Sequence, residues 1–397
     1  MQEKVWGRRS KEDKVHSLID KVYKVLNLNI AWEKVKANKG SGGIDRVTLE
    51  EFERDLERNL REIHRLLYED RYEPTPVRRV WIPKPNGDKR PLGIPTIRDR
   101  VVQQALLNRM GKIFEPKFLE CSYGFRPHRS AHQAIERVEG YLQEGCEWIV
   151  EVDIEKYFDT IDHDLLMDFV KEEIADRRVL KLIRTFLEAG IMEETKRINA
   201  LTGTPQGGVI SPLLANIYLH SFDEAMTQEG YKVIRYADDI VVVCRSRKEA
   251  ETAIGRIREI LEGKLKLRLN ADKTRIVHKR KGFEFLGFYV GCGYSDYKMP
   301  QDKAVKAFKD KVRFITRRHQ PKSMSMIIAE LNPVVRGWGN YFVKSNCQRI
   351  FVQLDYWMRT RITAYKLKRQ GGYGHREYPY TRLRAMGMLF LKDLLYA

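Results

Sequence analysis

The stretch KVIRYADDIVVVC (232–244) sets two adjacent carboxylates, Asp238 and Asp239, in the middle of a run of Val, Ile and Tyr. β-Branched and aromatic side chains suit a pleated, half-buried surface, so the flanks predict two strands and the polar centre predicts the tip of a tight hairpin. A second acidic strand end lies upstream in WIVEVDIEKYFDTIDH (148–163), where Ile149, Val150, Val152 and Ile154 surround Asp153. An Asp-Asp pair on its own is an ordinary solvated turn. Three carboxylates delivered by apolar strands are different, because like charges repel and such a cluster is a poor stabilising device unless a cation offsets it. Two hard cations about 4 Å apart can activate a hydroxyl and neutralise a leaving pyrophosphate, and Mg²⁺ prefers oxygen ligands. The chemistry indicated is nucleotidyl transfer, with Asp153, Asp238 and Asp239 as the catalytic residues.

Outward from this centre the pattern alternates between helix and strand. Leu18, Val22, Val25, Leu26, Trp32 and Val35 recur at helix spacing up to a turn at KGSGGID (39–45). Residues 49–67 read as an amphipathic helix, and VRRVWIPKPNGDKRPLGIP (77–95) as a basic hairpin turning at Asn86-Gly87. Helices are expected over 99–114, from about Ala131, near Asp164, after TPQGGVISP (204–212) and over 248–261. For the fourth of these, Ser211 suits the N-cap and Pro212 the first helical position. Further strands include FEFLGFYV (283–290), and beyond Pro300 basic, aromatic-bearing helices dominate. The class is α+β, and 397 residues exceed what one core usually supports.

The formal charge of +19 points to a polyanionic partner, since a basic surface gains binding energy by releasing counterions. The excess is uneven: residues 301–397 hold 20 Lys plus Arg against 6 Asp plus Glu. No apolar run approaches the roughly 18–20 residues that span a bilayer, and MQEKVWGRRSKEDK is too charged for a signal peptide. A cytoplasmic protein without a membrane partner is expected. The five cysteines form no C-x-x-C pair and read as reduced and mostly buried, and His128 and His132 have no Cys or acidic neighbour to complete a metal site.

The motifs together resemble reverse transcriptases, specifically the proteins encoded by group II introns. YADD (236–239) is similar to their catalytic hairpin, DIEKYFD (153–159) to their first catalytic strand, GTPQGG (203–208) with SPLLANI (211–217) to their substrate-binding turn and helix, and YGFRP (123–127) to a further block. The resemblance runs from about Ala31 to Leu367. It implies a right-hand polymerase with fingers, a mixed or antiparallel palm sheet and a C-terminal α-helical thumb or maturase domain. The corresponding expectation is an N-terminal extension and start of the fingers over 1–76, fingers and palm over 77–299, thumb and maturase over 300–370, and a short segment over 371–397, which can represent a reduced DNA-binding region.

The resemblance also implies site roles. Asp153, Ile154, Asp238 and Asp239 make the metal set for two Mg²⁺ ions, with Mn²⁺ as a substitute. Lys84 and Arg90 of the fingers hairpin contact the triphosphate, Gln206 the nucleotide or template, and Lys273 in LNADKT (269–274) lies near the active site. Phe158 stacks under the sugar and excludes a ribose 2′-hydroxyl, which favours dNTPs. Arg126, Arg336, Tyr341, Trp357, Arg361, Lys366, Lys368 and Arg369 combine cationic and stacking groups suited to nucleic acid. The expected partners are intron RNA or another RNA template, a DNA primer and the RNA/DNA duplex, in a bacterial cytoplasm and at the nucleoid when acting on DNA. The chain ends without the paired Cys and His ligands of an attached nuclease, so no target-cutting activity is expected. Competing readings are a maturase with an idle polymerase, an RNA-dependent RNA polymerase, and a domesticated relative in DNA repair or antiphage defence. Oligomeric state is not legible.

Overall fold

The computed structural model describes residues 14–83, 89–193, 196–198, 203–204, 207–292, 296–317, 320–367 and 375–396. They fall into two compact units that divide between Ile276 and Val277.

The first unit opens with helices Ile19–Tyr23 and Val25–Asn38. Lys24, with ψ of 128°, breaks the helical run between them, which rotates the phase of the second helix. Leu28, Ala31, Trp32 and Val35 are therefore buried while Val25 and Leu26, expected on the apolar stripe, are exposed. The helix expected over 49–67 is likewise two, Leu49–Arg54 and Leu56–Tyr68, parted at Asp55. Thr48 and Glu51 form a capping box that starts the first of them. Phe52 stacks on Trp32 with ring centroids 5.1 Å apart, and both helices belong to the same core as helix Ile97–Phe114.

The strands, in chain order, are β1 (Val77–Pro83), β2 (Lys89–Ile94), β3 (Trp148–Val152), β4 (Ile191–Glu193), β5 (Lys196–Ile198), β6 (Lys232–Tyr236), β7 (Asp239–Cys244), β8 (Arg275–His278), β9 (Phe283–Phe285), β10 (Phe288–Cys292) and β11 (Asp296–Pro300). β1 and β2 pair antiparallel from Arg78↔Ile94 to Pro83↔Lys89, as the basic hairpin requires, and β4 joins β1 in parallel. The turn at Asn86-Gly87 lies outside the described residues. The central sheet has the order β6-β7-β3-β8. One face carries helix Ser211–Gln228, whose Leu214, Tyr218 and Phe222 are fully buried, as are Val150 and Val242 of the sheet. That helix takes Ile210 as its N-cap and Ser211 as its first residue, one step earlier than expected.

The second unit starts with the sheet β11-β10-β9. FEFLGFYV folds as two strands, because Leu286 (φ 47°) and Gly287 (φ 82°) both take the left-handed conformation of a tight hairpin turn. Helices Asp302–Ile315, Met324–Phe342 and Gln348–Leu367 follow. Phe308, Trp338, Phe342 and Phe351 interlock with centroid distances of 4.7–5.8 Å. Asp355, almost fully buried, accepts hydrogen bonds from the amides of Leu391 and Lys392 and pins the last helical turn to this bundle. No described helix is long and apolar enough to cross a membrane.

Candidate active site

The two acidic strand ends meet at one edge of the central sheet. β3 and β7 run antiparallel from Trp148↔Cys244 to Val152↔Ile240. One residue beyond that last pair stand Asp153 on one strand and Asp239 on the other, and residues facing across such a ladder have Cα atoms roughly 4.5–5.5 Å apart. β6 and β7 close at Tyr236↔Asp239, so Ala237 and Asp238 form a two-residue turn, with Ala237 at φ 58°. The chain after β3 is tied from its other side: Asn270 N donates to Asp153 O at 2.8 Å, Asp153 N to Thr274 Oγ1 at 3.3 Å, and Glu155 N to Arg268 O at 2.8 Å. Ile154 has a hydrocarbon side chain, buried here, so its main-chain carbonyl is the oxygen it can offer.

Electrostatics at this edge match its acidic character. Lys273 places its ammonium 3.2 Å from Asp153 Oδ2 and 3.3 Å from Oδ1. Among the described residues, no three His, Cys, Asp or Glu side chains are gathered into a ready-made cage for an ion. A cage is not what Mg²⁺ needs in phosphoryl chemistry, where one or two protein carboxylates are completed by water and substrate phosphates. The donor set at this edge, carboxylates plus a main-chain carbonyl, has the hard oxygen chemistry that such an ion takes.

Beneath Asp153, Lys156 takes a left-handed conformation (φ 46°) and starts the short turn Tyr157–Thr160. Burial pushes the Tyr157 hydroxyl far above its ordinary pKa, so it stays protonated and donates to Ala215 O at 2.6 Å. Phe158 is 8% exposed, with its ring edge-on to Tyr157. The glycine-rich segment docks here: Gly203 N donates to Ile161 O at 2.8 Å and Thr204 N to Phe158 O at 2.7 Å. A Cβ on Gly203 would come within 2.8 Å of the Asp159 main chain, and one on Gly207 within 2.4 Å of Gly93 O on β2. Both positions also have φ near or above 90°, so glycine is required twice over. Gly203 and Thr204 thus pack on the turn that follows Asp153, and Gly207 packs on β2.

Of the other expected contacts, Lys84 and Gln206 lie outside the described residues, as do Lys368 and Arg369. Arg90 stands opposite Ile82 on β2. Arg126 folds inward: its guanidinium, 5% exposed, pairs with Glu115 and donates to the carbonyls of Leu119 at 2.6 Å and Ser122 at 2.8 Å. It clamps its own chain and leaves no donor face for a phosphate. Tyr341 stacks on Phe288 and donates to Leu286 O at 2.8 Å, and Arg361 caps the helix ending near Thr316. Arg336 and Lys366 are exposed. Trp357 lies half-buried beneath Lys309 and Arg313, which stand 5.8 and 5.5 Å from its ring centre.

One residue of the site went unnoticed in the sequence. Arg235 on β6 is wholly buried and binds Asp223, Asn216, Ser122 and the carbonyl of Ala237. Burial acts against its charge, but the Asp223 carboxylate outweighs that and holds its pKa above the ordinary value. The available signal was a lone Arg inside an apolar strand, which demands a buried partner.

The polymerase region, residues 82–290, matches the family described as reverse transcriptase (RNA-dependent DNA polymerase). Residues 305–377 match the group II intron maturase-specific domain. Protein YkfC of Escherichia coli is 39% identical over 66% of this chain and 81% of its own length. The group II intron-encoded protein LtrA of Lactococcus lactis is 31% identical over 66% of this chain, which spans about half (54%) of that relative. A chain of a solved Cas6-RT-Cas1–Cas2 complex aligns over 63% of this chain and 43% of its own, at 23% identity and a TM-score of 0.41.

Proposed function

The chain belongs to the reverse transcriptase family and carries a group II intron maturase-specific region after its polymerase block, and from that premise we propose that it copies RNA into DNA at the Asp153–Asp238–Asp239 edge and binds group II intron RNA to assist splicing and retrohoming. The observation that carries the reading is the ladder end, where Asp153 and Asp239 each stand one residue beyond the last pair and Asp238 occupies the adjoining turn. The substrates are dNTPs, with RNA as template and a DNA strand as primer.

Two Mg²⁺ ions, replaceable by Mn²⁺, would make the primer hydroxyl nucleophilic and offset the charge of departing pyrophosphate. Asp153 and Asp238, with Asp239 and the Ile154 carbonyl beside them, are the groups to hold them. Lys273 neutralises Asp153 in the protein alone and is long and exposed enough to turn to a triphosphate oxygen. Lys84 and Arg90 are assigned by the family resemblance to the triphosphate, since cations near phosphate oxygens stabilise both bound triphosphate and leaving group. Phe158 forms the wall under the sugar, and Gln206 belongs to a loop whose neighbours lock onto that wall. In this reading fingers and palm extend to about residue 299, and 300–370 serve as thumb and maturase domain.

Purified protein with Mg²⁺, an RNA template, a DNA primer and four dNTPs is expected to make cDNA, and Asp238→Ala or Asp239→Ala to make none above background. Wild-type synthesis by either variant sinks the assignment. Intron splicing by the Asp238→Ala protein separates the RNA-binding role from the polymerase.

A further inference from the structure

Arg235 and Asp223 are both 0% exposed in their side chains. A buried ion pair is a weak stabilising device, since well-packed apolar residues of similar volume often do as well or better. Stability alone therefore does not account for placing a guanidinium in the middle of β6. Its distinguishing property is reach. Nε lies 2.8 Å from Asp223 Oδ1, Nη2 donates to Asp223 Oδ2 at 2.5 Å and to Ser122 Oγ at 2.8 Å, and Nη1 donates to Asn216 Oδ1 at 2.9 Å and to Ala237 O at 3.1 Å.

These acceptors come from three places: the helix Ser211–Gln228, the 121–124 segment and the catalytic turn itself. Asn216 and Asp223 lie on helix Ser211–Gln228, which the glycine-rich substrate segment leads into. Ser122 lies on a segment added to the edge of β6, with Arg235 N donating to Cys121 O and Tyr123 N donating to Arg235 O, each at 2.8 Å. Asn216 Nδ2 closes the ring by donating to Gly124 O at 2.8 Å. Ala237 is the first residue of the turn that presents Asp238. One planar fork thus joins the turn, the substrate helix and the 121–124 segment into a single body.

We propose that Arg235 is a positioning residue for the metal site: through the carbonyl of Ala237 it sets the position of the Ala237–Asp238 turn relative to Asp153, and Asp223 orients the guanidinium. Arg235 is enclosed on all sides and acts only through the turn. The inference rests on the two-metal reading above and adds the element that fixes the carboxylate spacing.

The test measures Mn²⁺ binding by electron paramagnetic resonance to the full chain with RNA template, a 3′-deoxy-terminated primer and dNTP, so that no chemistry occurs, alongside thermal unfolding. Arg235→Met combined with Asp223→Leu removes both charges and keeps apolar volume. It is expected to unfold near the wild-type Tm yet need about tenfold more Mn²⁺ for half-saturation, about 1.4 kcal/mol. Arg235→Lys, which keeps the charge but lacks the fork, falls between the two. Should the double variant not fold, Ser122→Ala leaves the buried charges matched and is expected to weaken Mn²⁺ binding about threefold, the scale of one hydrogen bond. Wild-type Mn²⁺ affinity in the folded double variant, or in Ser122→Ala if only that one folds, overturns the proposal. Asp238→Ala run in parallel distinguishes the failures: undiminished Mn²⁺ binding there removes the metal-site reading itself.

Discussion

Replacing Gly124 with alanine is the sharpest mechanical test of the site. A Cβ at this position would stand 2.3 Å from the amide nitrogen of Ala237 and 2.9 Å from the carbonyl carbon of Tyr236. Both are main-chain atoms, so no flexible side chain can yield. Ordinary van der Waals contact begins near 3.4 Å, so either the 121–124 segment or the catalytic turn must retreat by about 1 Å. The segment is held by Tyr123 N to Arg235 O and by Asn216 to Gly124 O, and the turn is tied to the same cluster by Arg235 Nη1 to Ala237 O, so a shift of either partner disturbs the placing of Asp238. A misplacement of about 1 Å in a reacting group costs on the order of 100-fold in rate, or about 2.7 kcal/mol of transition-state stabilisation. Overpacking of this kind also destabilises by roughly 1–3 kcal/mol, which a chain of this size can survive. Single-nucleotide extension under saturating dNTP, with thermal unfolding of the same preparation, separates the two effects. A folded Gly124→Ala protein with kcat within threefold of wild type refutes the claim that the 121–124 segment is seated against the catalytic turn.

Phe158→Ala should raise ribonucleotide incorporation relative to deoxynucleotide, because the ring shares its turn with the residues following Asp153; unchanged sugar discrimination removes it as the gate. Asp355 has its pKa pushed up to about 6 by burial, against the opposing bonds from the Lys392 and Leu391 amides. An acid whose folded pKa is raised favours the protonated fold, so its contribution is lost as pH rises from about 4 through about 6, by about 3 kcal/mol in total. Asp355→Asn should therefore gain stability over wild type between pH 4.5 and 7.5 in urea unfolding, and a difference that does not change with pH contradicts this. Arg336→Ala with Lys366→Ala should weaken intron-RNA binding and reduce the slope of log K against log salt by about 1 per lost phosphate contact; an unaltered slope rejects that surface.

The hairpin and its partner strand were legible because their signal is local: alternating β-branched residues, an acidic interruption and the two-residue turn they imply. Chain breaks at Lys24 and Asp55 were not, since neither residue is a strong punctuator and the surrounding periodicity continues across them. FEFLGFYV read as one strand although Leu286-Gly287 held the turn chemistry, because an unbroken apolar run hides a hairpin. Arginine was the least readable residue type. Arg126, expected among the nucleic-acid contacts, and Arg235, set in a β stretch, both direct their guanidinium forks into the protein. Charge in a sequence does not reveal whether the fold will supply acceptors for it, and that depends on segments far away in the chain, such as Asp223 and Ser122.

Ala237 holds a left-handed backbone at the tip without glycine's freedom to adopt it, a conformation that costs an ordinary residue about 1–2 kcal/mol. Anyone hardening this protein against heat would find a glycine exchange at that spot attractive, since it relieves the strain. The same exchange would give the tip several shapes where the methyl-bearing residue allows few, so robustness gained there would be taken from the sharpness with which two neighbouring carboxylates are aimed.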